Sequence, residues 1–233
     1  MGNFLNTVMP ATRVAERRFF IASAIVILLL FFAGFARSYY LRVWFSTRVL
    51  APILHMHGLI MSAWIVLFIV QITFVAKYRI QLHRKLGVWG ASLAIVIVGL
   101  GAFIIVRDIE RQSPDATVIS FFLSFIAFDG INLILFAGFV FLALMMRRHS
   151  DIHKRLMLMA TISLLPPALG RIAIHFVQDD KEPITKLALM AACVVLVVAI
   201  DTVRHRRLHP AFGWAAVLDL VLNYATYLAQ ISS

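Results

Sequence analysis

Charged residues are scarce in this chain: they make up 14% of its 233 residues, about half the share of an ordinary globular protein. Hydrophobic residues reach 62%, and the mean hydropathy is +0.91. A water-soluble domain of this length has too little interior to bury so much apolar surface. The composition therefore excludes a water-soluble enzyme and predicts a protein that lies in a lipid bilayer.

Cysteine is almost absent, since Cys193 is the only one. A single cysteine excludes an intramolecular disulfide, a four-cysteine zinc site and a cysteine-ligated iron–sulfur cluster. Acidic residues are also few: 11 Asp and Glu stand against 22 Lys and Arg, which gives a formal net charge of +11. The basic residues lie in short tracts between apolar segments, and this favours anionic lipid headgroups over nucleic acid as their partner.

Seven apolar segments are long enough to cross a membrane, which takes about 20 residues in a helix. They lie at residues 19–36, 51–76, 86–106, 119–146, 155–177, 185–203 and 211–230. The short connections predict that consecutive helices are antiparallel neighbours. Because no linker or second domain is visible, residues 1–233 are predicted to form one all-α transmembrane bundle, with residues 1–18 as a cytoplasmic N-terminal segment.

Lys and Arg are divided unequally between the two sides of these segments. Fourteen lie in the N-terminal segment and in the connections that follow the second, fourth and sixth apolar segments, when Arg155 at the start of the fifth segment is counted with its connection. Seven lie on the opposite side, when Lys186 near the start of the sixth segment is counted with its connection. Loops rich in Lys and Arg stay in the cytoplasm. The sequence therefore predicts a multi-pass protein of the bacterial inner membrane with a cytoplasmic N-terminus and an external C-terminus.

Three of the basic connections are similar to one another, which suggests a duplicated helical hairpin. Each places a histidine just before an apolar segment: His83, His153 and His209. In the last two, a second histidine, His149 or His205, lies four residues earlier, and this is a metal-binding spacing when the segment is helical. The neighbouring Arg and Lys repel cations, so two interpretations remain. One is a polar cap on helix ends at the headgroup level. The other is a haem or metal site formed by His83, His149, His153 and His209.

Polar and ionisable residues inside the apolar segments are concentrated in the second, fourth, fifth and seventh. Such residues are costly in a bilayer, so each is a candidate functional residue. They are His55, His57, Asp129, Asn132, Arg171, His175, Asp219 and Asn223. At about 1.5 Å of helix rise per residue, the depths of six of them fall within the outer half: His57, Asp129, Arg171, His175, Asp219 and Asn223. This predicts one site that faces the periplasm, with the first, third and sixth segments facing lipid.

Two local patterns support a polar centre. In the second segment, one helix face is formed by residues with alternating spacings of four and three: His57, Met61, Trp64, Phe68 and Gln71. In the fifth segment, Pro166-Pro167 predicts a break that frees backbone carbonyl groups to line a cavity.

Three chemistries fit this set of residues, beside a purely structural role in which Arg171 pairs with Asp129 or Asp219. The predicted function is the first, a haem or transition-metal site that serves redox chemistry or respiratory-complex assembly, and the other two are alternatives. His57 and His175 can ligate the iron of haem b or a transition-metal ion, with Arg171 on a haem propionate. The same histidines can hold the metal of an intramembrane hydrolase or oxygenase, with an aspartate to activate water. In a proton-coupled transporter of small molecules, the aspartates and histidines exchange protons.

The stretch His55-Met56-His57-Gly58 and the turn Leu82-His83-Arg84-Lys85-Leu86-Gly87 resemble a pattern in uncharacterised bacterial inner-membrane proteins. The turn Ile152-His153-Lys154-Arg155-Leu156-Met157 is similar to a second turn of that group. The resemblance covers about residues 50–175. It implies a b-type cytochrome or an oxidase-assembly protein, with a respiratory or redox partner in the membrane.

The chain departs from two better-defined membrane families. Dihaem cytochromes b place ligating histidines in facing pairs, but here the fourth segment has no outer histidine to face His57. The seven-span hydrolases related to adiponectin receptors carry His-x-x-x-His in the last span, and this motif is absent from residues 211–230.

Overall fold

A computed structural model describes residues 11–45, 50–110, 116–177 and 181–232, and their side chains except those of 11–13, 116–126, 182 and 232. The chain is helical over most of these ranges, and no strand occurs within them. The predicted all-α fold is therefore confirmed.

Six helices in the described ranges are long and apolar enough to cross a membrane. The helices, in chain order, are α1 (Ala11–Phe35), the short α2 (Arg42–Phe45), α3 (Pro52–Ala76), α4 (Ile80–Glu110), α5 (Ala116–Met145), α6 (Ser150–Ile162), α7 (Pro166–Ile174), α8 (Glu182–His205) and α9 (Pro210–Ser232). A π-helical turn, Ala36–Tyr40, joins α1 to α2. The two half-length helices α6 and α7 are bent by 41° at their junction and make a seventh span when they are counted together. The result is a bundle of about seven spans, as the sequence predicts.

Some helices are longer than the apolar segments from which they were predicted. α4 begins at Ile80 and α6 at Ser150, so the prediction that His83 and His153 precede their helices is wrong. Both lie in the first turn, because Gln, Lys and Arg favour helix and continue it past the apolar core. α1 likewise includes the second half of the predicted N-terminal segment 1–18, whose first ten residues lie outside the described ranges.

The bent pair α6–α7 occupies the middle of the bundle. It contacts α1, α5, α8 and α9. The long helices around it each pack on the next in the order α1, α3, α4, α5, α9 and α8. Residues 155–170 of the pair are buried almost without interruption. A helix that is apolar on all sides is stable only in such a position, and its break therefore lies at the centre of the protein.

α1 and α8 contribute more to the interior than the sequence predicts, since both were expected to face lipid. α1 packs closely on α7: a Cβ atom placed on Gly34 would lie 2.5 Å from the carbonyl oxygen of Ala168. α8 buries two charged residues, Lys186 and Asp201, near its two ends. Mean hydropathy conceals such residues, because a few charges near the ends of a long apolar helix change the average little.

The inward face of α3 is the one that its spacing predicts. Met61, Trp64 and Phe68 are buried, and the ring of Trp64 meets that of Phe136 on α5 edge-on, with the centroids 4.9 Å apart. Trp64 Nε1 is buried and has no hydrogen-bond acceptor within the part of the chain that the structure describes. The half-buried His57 and Gln71 mark the two ends of this face.

Candidate functional site

The site is built around the break between α6 and α7. Pro166 and Pro167 have no N–H group, so neither of the helical donors that normally reach the carbonyl of Ser163 exists. The carbonyl of Ile162 is recovered by the N–H of Leu165, at 2.9 Å. The carbonyl oxygen of Ser163 is thus left available inside the bundle, and such backbone is tolerated at membrane depth only within protein or beside a cavity.

Four buried polar side chains converge beside this carbonyl, and we call them the central polar cluster: Asn132 on α5, Ser163 after α6, and Asp219 and Asn223 on α9. Asn132 Nδ2 donates to Asn223 Oδ1 over 2.8 Å. Ser163 Oγ donates to one carboxylate oxygen of Asp219, and Asn223 Nδ2 donates to the other, each over 3.4 Å. The sequence singles out three of these residues as candidates, and the structure brings them together. Ser163 was missed.

Three members of the cluster also lie against carbonyls one helical turn before them. Asn132 Nδ2 donates to the Phe128 carbonyl over 2.9 Å, and Asn223 Nδ2 donates to the Asp219 carbonyl over 2.9 Å. Ser163 Oγ lies 3.1 Å from the Met159 carbonyl oxygen, so its one hydroxyl hydrogen is shared between this carbonyl and Asp219. These bonds fix the side chains, and the atoms that remain for a ligand are oxygens from a carboxyl group, a hydroxyl group, amides and one carbonyl. Oxygen ligands of this kind suit protons and hard cations better than soft transition metals.

The carboxyl group of Asp219 lies near the middle of α9 and has neutral partners. It is fully buried, and its hydrogen-bond partners among the described side chains, Ser163 and Asn223, carry no charge. Asp219 follows the start of α9 at Pro210 by nine residues, about 14 Å of helix rise in an apolar core about 30 Å thick. A bare carboxylate there is costly, so the site favours a proton or a bound cation on Asp219.

Arg171 belongs to a second, looser group nearer the end of the bundle where α7 finishes. Its Nη1 donates to the Pro167 carbonyl over 2.8 Å, and its guanidinium lies 4.5 Å from the ring centroid of Phe35. Asp129 and His57 lie close enough to interact with its charge. The side chain is exposed on the bundle surface, which differs from the inward orientation expected from sequence. The Pro167 carbonyl and the Phe35 ring offset part of the cost of placing the Arg171 charge here. The sequence predicts a carboxylate in that role.

The other two predicted outer residues are peripheral. His55 is exposed on α3, because residues two apart on a helix point to different faces, and its carbonyl accepts a hydrogen bond from the Tyr39 hydroxyl over 3.2 Å. His175 is exposed where α7 ends. Among the described residues, no group of three or more His, Cys, Asp or Glu side chains is placed to hold a metal ion. The structure therefore does not bring His57 and His175 into such a group.

Two of the four histidines proposed for the opposite end lie close together. The rings of His83 and His153 have centroids 6.2 Å apart and planes at 81°. His153 Nδ1 lies 2.8 Å from the Ala143 carbonyl oxygen. In the amide orientation that satisfies its neighbours, the Gln71 nitrogen donates to His83 Nδ1 over 2.6 Å, and its oxygen accepts from the Gly87 N–H over 3.0 Å.

Of the remaining two histidines of that set, His209 fits the alternative interpretation as a polar cap, whereas the side chain of His149 makes no capping hydrogen bond to α6. His209 Nδ1 accepts a hydrogen bond from the N–H of Ala211 at the start of α9, over 3.2 Å. Burial and the nearby positive charge of Arg155 lower the pKa of His209, which favours this neutral, accepting form. His149 is exposed and precedes α6.

A buried ion pair at the same end was not predicted. Arg155 Nε and Nη2 each donate to a carboxylate oxygen of Asp201 over 2.9 Å, and the two side chains are only 2% and 1% exposed. Arg155 Nη1 donates to the Asp151 carbonyl over 2.9 Å, and Glu16 on α1 lies 2.6 Å from Lys154 Nζ. This network connects α1, α6 and α8. The only sequence signal was Asp201, an isolated acid near the end of an apolar segment.

The fold defines the class of this protein as a multi-pass α-helical membrane protein. No protein-family model matches the chain, and the comparisons with curated proteins and with solved structures find no significant match. The functional assignment therefore depends on the chain's own residues.

Proposed function

We propose that this protein is a proton- or cation-coupled transporter of the bacterial inner membrane, in which the central polar cluster binds the coupling ion. One observation carries the proposal: the fully buried carboxyl group of Asp219 is held by neutral donors, one of them Ser163, whose carbonyl lacks both of its helical donors at the break in the central helix. Secondary transporters typically bind their coupling ions near mid-membrane, where a discontinuous helix frees backbone carbonyls.

The charge of the cluster indicates a monovalent ion. Of its four members only Asp219 is ionisable, so one proton or one Na⁺ neutralises the site, whereas a divalent ion would leave a net positive charge in the apolar core. The amide and hydroxyl oxygens of Asn132, Asn223 and Ser163 supply further ligands for a cation. A proton needs Asp219 alone.

The two halves of the central helix differ in their main partners, since α6 packs mostly on α5 and α9 and α7 mostly on α1 and α8, and this difference supports movement about the break. α6 is held to α8 by the ion pair of Arg155 and Asp201, at the end of the bundle that is rich in basic residues. α7 packs on α1 and α8 and carries Arg171 on its exposed side. A change of the 41° bend would open the cluster toward the end where α7 finishes, while the ion pair keeps the opposite end closed.

Ion binding is tested by thermal unfolding of the purified protein from pH 5 to pH 9, in NaCl and in choline chloride of equal ionic strength. Ligands that bind only the folded state raise Tm, so the wild-type Tm should depend on pH, on Na⁺ or on both. Asp219→Asn keeps the shape of the side chain and should remove that dependence. Asp108→Asn, at an exposed position near the end of α4, is the matched control and should keep it. The same pH and Na⁺ dependence in Asp219→Asn as in the wild type would contradict the proposal.

Haem binding is the second candidate, and the His83–His153 pair favours it over the outer pair. A nitrogen-to-metal bond of about 2.0–2.1 Å puts two imidazole centroids roughly 6 Å apart across one ion, close to the 6.2 Å observed. Haem needs few protein ligands, because the porphyrin supplies the others. His153 fits, since its Nδ1 lies against the Ala143 carbonyl oxygen and leaves Nε2 for the iron. His83 fits only if the Gln71 amide turns its oxygen toward Nδ1.

A visible spectrum of the detergent-purified protein tests the haem candidate. A Soret band that is lost in His83→Ala and in His153→Ala, but kept in His149→Ala, would assign haem to this pair and would make a redox partner the next expectation. Loss of the band in His57→Ala, but not in the other variants, would instead assign the haem to the outer site that contains His57. A wild-type protein without a Soret band would contradict both. The hydrolase and oxygenase alternatives stay predictions.

A further inference from the structure

A groove of about 640 Å³ runs between the first half of α1 and the last turns of α8. Ala15, Arg18, Phe19 and Ala22 line it on the α1 side, and Ile200 and Arg204 line it on the α8 side. Residues three and four apart share a helix face, so each helix presents one continuous surface to the groove. The small side chains of Ala15 and Ala22 leave the space open, and Phe19, only 6% exposed, forms its floor.

The groove has a charged end and an apolar end. Arg18 and Arg204 lie toward the end of the bundle that is rich in basic residues. Ala22 and Ile200 each lie one helical turn deeper in the membrane. This order matches a phospholipid, whose phosphate lies at the surface and whose acyl chains extend toward the bilayer centre.

The two arginines are available to an anion. Arg204 is positioned by Phe19, with its guanidinium 5.3 Å from the ring centroid. Neither Arg18 nor Arg204 has an ion-pair partner within 4 Å among the described side chains. The adjacent acid, Glu16, is engaged with Lys154 at 2.6 Å. Guanidinium groups bind phosphate in a bidentate manner, and a choline or ethanolamine headgroup would add a positive charge beside two others.

We propose that this groove binds one anionic glycerophospholipid from the leaflet at the basic end, with its phosphate on Arg18 and Arg204 and an acyl chain along Phe19, Ala22 and Ile200. The lipid would then add to the contacts between α1 and α8, which already meet at the basic end through Phe19 and Arg204. This site is independent of ion binding in the central polar cluster.

Native mass spectrometry of the delipidated protein, titrated with phosphatidylglycerol and with phosphatidylcholine, tests the proposal. The wild type should bind one phosphatidylglycerol about tenfold more tightly or better, because two basic residues contribute to its retention. Arg18→Gln combined with Arg204→Gln should lose that preference. Arg79→Gln combined with Arg147→Gln removes the same charge from two exposed positions outside the groove and should keep it. An equal preference for phosphatidylglycerol over phosphatidylcholine in both double variants would overturn the proposal.

Ala22→Phe separates the groove from general electrostatic attraction, because it fills the apolar end and keeps both arginines. It should reduce phosphatidylglycerol binding by about tenfold, as expected for a ligand that loses about 1.4 kcal/mol. Unchanged binding in Ala22→Phe would show that no acyl chain enters the groove and would overturn the proposal. A lipid-free wild type that forms dimers, which Ala22→Phe disperses, would instead assign the groove to a second copy of the chain.

Discussion

Two arrangements of buried charged residues in the described part of the chain differ in their partners. Arg155 and Asp201 compensate each other through two hydrogen bonds of 2.9 Å, and they connect two helices. Asp219 is just as deeply buried, but its described partners are neutral. The charges of Arg155 and Asp201 neutralise each other without a ligand, whereas the charge of Asp219 needs a proton or a cation to neutralise it. We therefore assign a structural role to Arg155 and an ion-binding role to Asp219.

Removing one partner of the Arg155–Asp201 pair should destabilise the protein strongly. Arg155→Met or Asp201→Asn leaves one buried charge without its partner, and we expect each to lower the free energy of unfolding by about 3–5 kcal/mol. The double variant should recover much of that loss. Denaturant unfolding of the two single variants and the double variant gives the coupling energy.

Asp151→Asn is the matched control for this cycle. The Asp151 carboxylate lies near the same guanidinium, at 4.0 Å, but is 69% exposed, so its removal should change stability by less than about 1 kcal/mol. Additive effects of Arg155→Met and Asp201→Asn would mean that the two residues do not stabilise the fold as a pair.

Helix packing depends on Gly34, where α1 approaches α7. A Cβ at Gly34 would lie 2.5 Å from the carbonyl oxygen and 2.6 Å from the Cα of Ala168. Backbone atoms cannot rotate away, so Gly34→Ala should destabilise the protein by about 1–3 kcal/mol. Gly99→Ala is the control, since a Cβ there meets nothing within 4 Å, and it should leave Tm unchanged or raise it. Equal Tm values for the two variants would contradict the close packing of α1 on α7.

The proline pair determines whether the central helix is broken. Pro166→Ala combined with Pro167→Ala restores the N–H groups that would donate to the carbonyls of Ile162 and Ser163 in a continuous helix, so the helix can continue without its break. We expect the variant to fold with equal or higher stability and to lose the dependence of its Tm on Na⁺, whereas a dependence on pH, which needs Asp219 alone, should remain. A variant that keeps the full Na⁺ dependence would exclude the Ser163 carbonyl from the site.

Much of the fold could be predicted because its signals are local. Apolar length revealed the spans, the spacing from His57 to Gln71 revealed the inward face of α3, and Pro166-Pro167 revealed the break. Asn132, Asp219 and Asn223 were conspicuous as polar residues in apolar segments. Their mutual contact was not predictable in detail, since Asn132 and Asn223 are 91 residues apart.

The features that were missed depend on contacts that the sequence does not contain locally. Arg155 was counted among the loop cations, and only its contact with Asp201, 46 residues later, shows that it is buried. Lys186 was counted in the same way, but its Nζ lies 4.4 Å from the ring centroid of Phe128, and it is 3% exposed. A long side chain near a helix end can extend either to the headgroups or into the bundle, and the neighbouring helices decide which.

At the scale of the whole molecule, the described residues form a bent central helix pair with six long helices around it, and the distribution of charge predicts its orientation in the membrane. The basic connections predict a cytoplasmic N-terminus, and an odd number of spans then puts Ser233 outside. Alkaline phosphatase fused after Ser233 should be active, because it folds only outside the cytoplasm, and green fluorescent protein fused there should be dark. The opposite pair of results would contradict the predicted orientation and would place the α7 end of the bundle in the cytoplasm.

The central claim is that Asp219 binds the coupling ion, and infrared difference spectroscopy of the purified protein tests it most directly. Spectra recorded between two pH values, and with and without Na⁺, should contain a carboxyl C=O or carboxylate band from a buried group that changes its state. The account predicts that this band disappears in Asp219→Asn and remains in Asp108→Asn. Difference spectra that are the same for the wild type and Asp219→Asn would show that the Asp219 carboxyl group does not change its state, and the account would be contradicted.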